Sequence, residues 1–158
     1  MSLNRRTARE VVMKALYACE LSHDSIEHLL ETIIRKQLKE DKELLQFAET
    51  LFIRSVRDTK ALDAIISEFV QNWDIKRIAV IDRCTMRMAL TELMAFPEIP
   101  KKVTINEAID IVKRYSTPRS GRFINGILDS AAKKLTEDGK IVKSGTGLLD
   151  QSLSGKQR

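Results

Sequence analysis

Residues 5–19 read RRTAREVVMKALYAC, and Ala8, Val11, Val12, Ala15, Leu16 and Cys19 form an apolar stripe along that stretch. A spacing of i, i+3, i+4, i+7, i+8 and i+11 puts all six on one side of a helix turning about 100° per residue. The alternation that a half-buried strand needs is missing. The same period returns along the chain. Ile26, Leu29, Leu30, Ile33, Ile34 and Leu38 form a second stripe, with Asp24 as its expected cap and Glu27 as the acid that follows in a capping box. Leu44, Leu45, Ala48, Leu51, Phe52 and Val56 form a third. A fourth runs through Leu62, Ile65, Ile66 and Phe69, divided from the third at Arg57-Asp58-Thr59.

A fifth helix is expected to begin after Asp74 and to end at Phe96, ahead of Pro97 and Pro100. Thr104-Ile105-Asn106-Glu107 has the form of a capping box and opens a sixth, through Ala108, Ile109, Val112 and Tyr115. Ser116 to Gly121 reads as a loop, and Phe123, Ile124, Ile127, Leu128, Ala131, Ala132 and Leu135 as the last helix. Asn125-Gly126 leaves that stripe in phase, so Gly126 is expected to admit the close approach of a neighbour. About seven helices and no strand predict an all-α domain over residues 1–135. The Gly-, Ser- and Lys-rich residues 136–158 predict a flexible polar tail.

Composition narrows the functional classes. With 43% hydrophobic and 31% charged residues among 158, the chain can bury a core, which excludes wholesale disorder. No apolar run approaches the ~20 residues of a membrane span. The Arg-rich start is followed by no secretory apolar core, so a cytoplasmic protein that makes no membrane contact is expected. Cys19 and Cys84 sit in no CxxC pair, and only His23 and His28 could assist them, so no metal site, cofactor or disulfide scaffold is expected. A glycine-rich phosphate loop, an HExxH pair and a serine elbow are all lacking. The acids Asp82, Glu92, Glu107 and Asp110 lie on base-rich helices and read as salt-bridged faces, which leaves no catalytic site.

Charge is unevenly spread within a net of +5. Residues 1–9 carry Arg5, Arg6 and Arg9 and no acid. Residues 101–122 hold six bases and two acids, whereas residues 20–50 hold eight acids and four bases. The two basic stretches are either ordinary solvated faces or, if the fold joins them, one patch for a polyanion. On the first helix Arg6, Met13 and Tyr17 fall beside the apolar stripe, with Arg9 at its edge. Arginines neutralise phosphates and stack on bases, and an exposed tyrosine stacks on an unpaired base, which suits single-stranded RNA. Tyr17 packed against a helix with its hydroxyl wet is the other reading. At the second stretch Ser120-Gly121 opens a helix whose free amides and positive dipole end lie beside Arg119 and Arg122. Phe123, next in sequence, is either core or a stacking ring.

Several blocks resemble the NusB family of bacterial transcription factors. Arg5-Arg6-x-Ala8-Arg9-Glu10 leading into Ala15-Leu16-Tyr17 is similar to its N-terminal motif. Trp73, Arg77-Ile78-x-x-Ile81-Asp82-Arg83 and Met86-Arg87-x-Ala89-x-x-Glu92-Leu93 resemble its central helix. Val103-x-Ile105-Asn106-Glu107-Ala108 through Lys113-Arg114-Tyr115, and the run Phe123-Ile124-Asn125-Gly126-Ile127-Leu128-Asp129, are similar to its last two blocks. Thr91 departs, standing where many members have tyrosine. The resemblance implies two packed small helical bundles without catalytic activity. It also implies a role in transcription antitermination: binding boxA-containing single-stranded RNA of nascent ribosomal transcripts together with NusE, a ribosomal small-subunit protein. RNA polymerase and other Nus factors would complete that assembly, and a homodimer is conceivable for the free protein. Carried over by position, Arg5, Arg6, Arg9, Tyr17, Arg122 and Phe123 would contact RNA. Asp82, Arg87, Arg119 and Ser120 would lie at the RNA or partner surface. The alternatives are the related helical domain of ribosomal RNA cytosine methyltransferases, and a protein-interaction module that binds no RNA.

Overall fold

The computed structural model describes residues 3–70 and 75–149. Seven helices run through them: α1 (Arg5–Ser22), α2 (26–38), α3 (Lys42–Arg57), α4 (Thr59–Phe69), α5 (Val80–Ala95), α6 (Lys101–Tyr115) and α7 (Ser120–Glu137). The middle of α2, Leu30–Arg35, is wound as a π-helix. Short 3₁₀ turns cover Ile75–Arg77 and Gly145–Leu148. No strand occurs among the described residues.

The helix starts follow local chemistry, with three departures from expectation. Asn4 caps α1 and Asp41 caps α3, their side chains accepting from the amides of Thr7 at 2.9 Å and Leu44 at 3.1 Å. For α2 the cap is Ser25, whose hydroxyl accepts from the His28 amide at 3.1 Å, and not Asp24. α1 ends on His23 in the left-handed region, φ 59, and Asp24 falls one residue too early in the link that follows. Thr104 is no cap either. Pro100, with φ −60 and ψ 142, feeds the chain directly into α6 at Lys101, and Thr104 lies inside the helix, buried, donating its hydroxyl to Glu92. α5 begins at Val80, later than expected. Asp74 and Trp73 lie outside the described residues.

Two apolar cores form. One gathers α1, α2 and α3 around Phe52 and Leu51, with Cys84 and Met88 from α5. The other gathers α4, α6 and α7, with Met86, Ala89, Leu90 and Leu93 from α5. The shared helix is therefore enclosed, and every residue from Asp82 to Leu93 is buried. Its charged side chains are affordable there only because each has a partner. Glu92 takes Arg9 of α1, and Arg83 and Arg87 take Glu20 of α1 at 3.0 and 3.1 Å. Arg87 also binds Asp63 of α4 at 2.7 Å, and Ser120 of α7 donates to Asp82 at 2.8 Å. Thr91 accepts from Ser55 of α3 at 3.1 Å.

Two further expectations change. Gly126 faces solvent, with no atom within 4 Å of where a Cβ would sit, because the buried arc of α7 runs through Ile124, Ile127 and Leu128. The close approaches are at Gly121, where a Cβ would lie 3.1 Å from the Lys113 side chain, and at Gly147, where one would lie 1.9 Å from the Pro97 carbonyl oxygen. The stretch expected as tail is also partly built into the domain. α7 continues to Glu137, and residues 138–149 run back across the α5–α6 turn with Ile141 buried. The Lys143 ammonium donates to the Phe96 carbonyl at 2.9 Å, the Ser144 amide to Pro97 at 3.0 Å, and the Thr146 hydroxyl to Glu98 at 2.6 Å. Glycine in this stretch lets the backbone lie flat on the turn. Residues 150–158 lie outside the described residues.

Candidate nucleic-acid interface

α1 and α5 pack antiparallel, with Arg9 opposite Glu92 at one end and Glu20 opposite Arg83 at the other. The apolar stripe of α1 faces inward, which leaves a polar strip along its outer side. Arg5 is exposed, its guanidinium carbon 4.9 Å from the centroid of the Phe47 ring. Arg6 is 54% exposed, yet its Nε lies 2.9 Å from Glu107 and its Nη2 lies 3.1 Å from both Glu107 and Asp110 on α6. The hydrogen bond and charge of Glu107 push the Arg6 pKa further up. Arg9 does not reach the surface. It is 4% exposed and held by Glu92, so it serves the interior, and Met13 is buried beside it. Tyr17 is 37% exposed. One turn earlier lies Lys14, its ammonium 5.4 Å from the centroid of Tyr115.

The end of α6 is pinned to this strip. Arg114 donates to Glu10 at 2.6 Å and the Tyr115 hydroxyl donates to the same carboxylate at 3.1 Å. From Tyr115 the chain passes through residues 116–119 into α7, so the two basic stretches stand on adjoining elements. No side chain caps α7, which leaves the positive end of its dipole toward Arg119 and Arg122, both exposed. Phe123 is half-buried. It borders two clefts, of about 330 Å³ and about 510 Å³; Arg77, Ile78 and Arg119 line the first, and Pro118, Arg119 and Arg122 the second.

Ser120 and Asp82, hydrogen-bonded to each other and buried, make the floor of the smaller cleft rather than its contact surface. Arg87 is likewise withdrawn, held by Asp63 and Glu20. Arg5, Arg6, Tyr17, Arg119 and Arg122 are thus exposed and Phe123 half-buried, whereas Arg9, Asp82, Arg87 and Ser120 are buried. Sequence reasoning passed over Lys14 and Arg77. Lys14 precedes Tyr17 by three residues and so shares its face, a signal that was there to read. Arg77 lines the smaller cleft from a 3₁₀ turn set against α4, a placement that only the fold supplies.

The NusB family profile matches residues 6–133, more than three quarters of the chain. The chain belongs to the NusB family. A protein of Salinibacter ruber called "Transcription antitermination protein NusB" is 47% identical over 146 residues, covering 92% of this chain and 91% of the relative. One of the same description from Koribacter versatilis is 35% identical over 136 residues, covering 86% and 93%. Among solved structures, T. maritima NusB superposes with a TM-score of 0.78 at 38% identity, covering 84% of this chain and 93% of that one. A complex described as antitermination factors NusB and NusE with dsRNA contains a chain matching at TM-score 0.75 and 24% identity, covering 82% and 96%, which bears on the fold alone. NusB proteins are non-catalytic, and the two bundles described above are the NusB all-α fold. No helix among the described residues is long and apolar enough to cross a membrane.

Proposed function

We propose that this chain is an RNA-binding adaptor in transcription antitermination, holding boxA-containing single-stranded RNA of nascent ribosomal transcripts together with NusE. The observation that carries this reading is the exposed Tyr17 with Lys14 one turn before it on α1, together with the uncapped head of α7 that carries Arg119, Arg122 and Phe123. Two aromatic rings offer stacking to unpaired bases, and the flanking cations take the phosphates between them. Arg5, Arg6, Tyr17, Arg119, Arg122 and Phe123 are the contact residues in this reading. Arg9, Asp82, Arg87 and Ser120 are the frame that fixes their positions. The names of the relatives support the antitermination role, and the solved NusB–NusE–RNA complex, which shares the fold, supports the pairing of RNA with NusE. RNA polymerase and the other Nus factors are engaged through that assembly.

The test is a titration of fluorescent boxA RNA and of a scrambled RNA, with and without NusE, at two salt concentrations. Tighter binding to boxA in the presence of NusE, weakening steeply with salt, is expected. Equal and weak binding to both RNAs under every condition would overturn the reading.

A further inference from the structure

Arg6 is exposed and yet held by two carboxylates through its Nε and Nη2. Its Nε and Nη2 lie 2.9 and 3.1 Å from the two oxygens of Glu107, and Nη2 lies 3.1 Å from Asp110. Asp110 is as open to solvent as Arg6 is, 52% against 54%. A solvent-exposed ion pair such as Arg6–Asp110 adds little to stability, so the domain does not depend on it for its fold. Two carboxylates on one guanidinium also leave the group with a net negative charge, within a strip that otherwise favours anions. Arg5, Arg119 and Arg122 form no ion pair among the described residues, so of the arginines read as RNA contacts Arg6 is the clamped one.

We propose that Glu107 and Asp110 form a carboxylate clamp that an RNA phosphate must displace from Arg6, and that the two acids thereby set how sharply this surface distinguishes its own RNA from other polyanions. The inference rests on the RNA-binding reading above. A phosphate delivered to Arg6 by a strand already seated on Tyr17 and the α7 head takes over the guanidinium's bidentate geometry. A strand without that seating meets two negative charges and gains nothing at Arg6. Displacement also has a signature in salt. The released carboxylates attract cations back from solution, which offsets the cations released by the RNA, so in the wild-type protein the Arg6 contact adds little to the salt slope.

The experiment compares wild type with Glu107→Gln/Asp110→Asn, using boxA and scrambled RNA at 50 and 200 mM salt. The variant is expected to bind both RNAs more tightly at low salt, with the larger gain for the scrambled strand. One fully expressed phosphate contact contributes a slope of about −0.7 on single strands, so across this fourfold range the variant should lose about 2.6-fold more affinity than wild type. Adding Arg6→Gln must abolish the gain. Asp110→Asn alone, at a half-exposed position that folding tolerates, must move affinity in the same direction by less. A gain that survives Arg6→Gln would reduce the effect to general loss of negative charge and overturn the proposal. Weaker boxA binding would overturn it too, making the acids positioning residues for Arg6. Wild type that binds boxA while the variants show no gain sinks the clamp alone; no binding by any form sinks the RNA reading with it. Binding by the variant where wild type has none would support the clamp.

Discussion

Arg9 and Glu92 meet inside the protein, Nε to Oε1 at 2.6 Å, with 4% and 1% of their side chains exposed. The Thr104 hydroxyl donates to the same carboxylate, so one group holds α1, α5 and α6 together. Arg9→Ala leaves that carboxylate buried without its cation, which costs about 3–5 kcal/mol. A fall of that size in the urea-unfolding free energy is expected, whereas Arg5→Ala and Arg6→Ala should leave it nearly unchanged. An Arg9→Ala protein as stable as wild type would show that the pair is not the junction described.

Tyr17 separates binding from folding. Its ring is exposed and caps no core, so Tyr17→Ala should keep the melting temperature while weakening RNA binding by about 1–3 kcal/mol, the worth of one base stacked on an aromatic ring. Tyr17→Phe should retain most of the affinity. A Tyr17→Ala protein with wild-type RNA affinity would remove Tyr17 from the interface.

The glycines give a paired test of packing. Gly126 is exposed in mid-helix with nothing near its missing Cβ, so Gly126→Ala should raise stability by about 0.5–1 kcal/mol through helix propensity. At Gly147 a Cβ would strike the Pro97 carbonyl, so Gly147→Ala should lower stability by about 1–3 kcal/mol and loosen residues 141–148 from the α5–α6 turn. Thermal melts of the two variants should therefore move in opposite directions. Shifts of the same sign would contradict the placement of residues 138–149.

Cys84 carries a pH prediction. Burial pushes its thiol up to about 12, against the opposing charge of Arg87. Between about 9 and 12 the unfolded chain has lost this proton while the folded chain keeps it, so the native state binds more protons and stability falls as pH rises through that window. Replacing Cys84 with Ala should flatten this alkaline limb in pH-dependent urea titrations. A thiol reagent at pH 8 should modify half-buried Cys19 well ahead of Cys84, with both reacting at similar rates once urea unfolds the chain.

Periodicity carried the fold a long way. The stripes of α1, α3, α4 and α7 and the break at Asp58 follow from apolar spacing alone, because a helix facing one core repeats every 3.6 residues. α5 is different: enclosed by two cores, it shows no polar face, and its charges resemble surface residues until their partners on α1, α4 and α7 are known. That is why Asp82 and Arg87 read as surface, and why Arg9, on the edge of a stripe, looked available. Thr104 misled for a related reason. The capping-box pattern states which hydrogen bonds can form, while the packing of Thr104 against Glu92 decides which do. Tyr17, Arg122 and Phe123 fall in or beside the family motifs, whereas the pinning of α6 to α1 by Glu10, through Arg114 and Tyr115, spans more than a hundred residues and leaves no mark in local spacing.

The helix that both cores share has a mechanical consequence. Neither half can swing away from the other without dragging Asp82 to Leu93 into water, so the body cannot open and close like a pair of jaws. The heads of α1 and α7 are fixed points on one stiff block, their separation as constant as the marks on a ruler. In the RNA-binding reading proposed above, a strand laid across them has to do the bending itself, and only a strand whose backbone can take that shape would touch both marks at once.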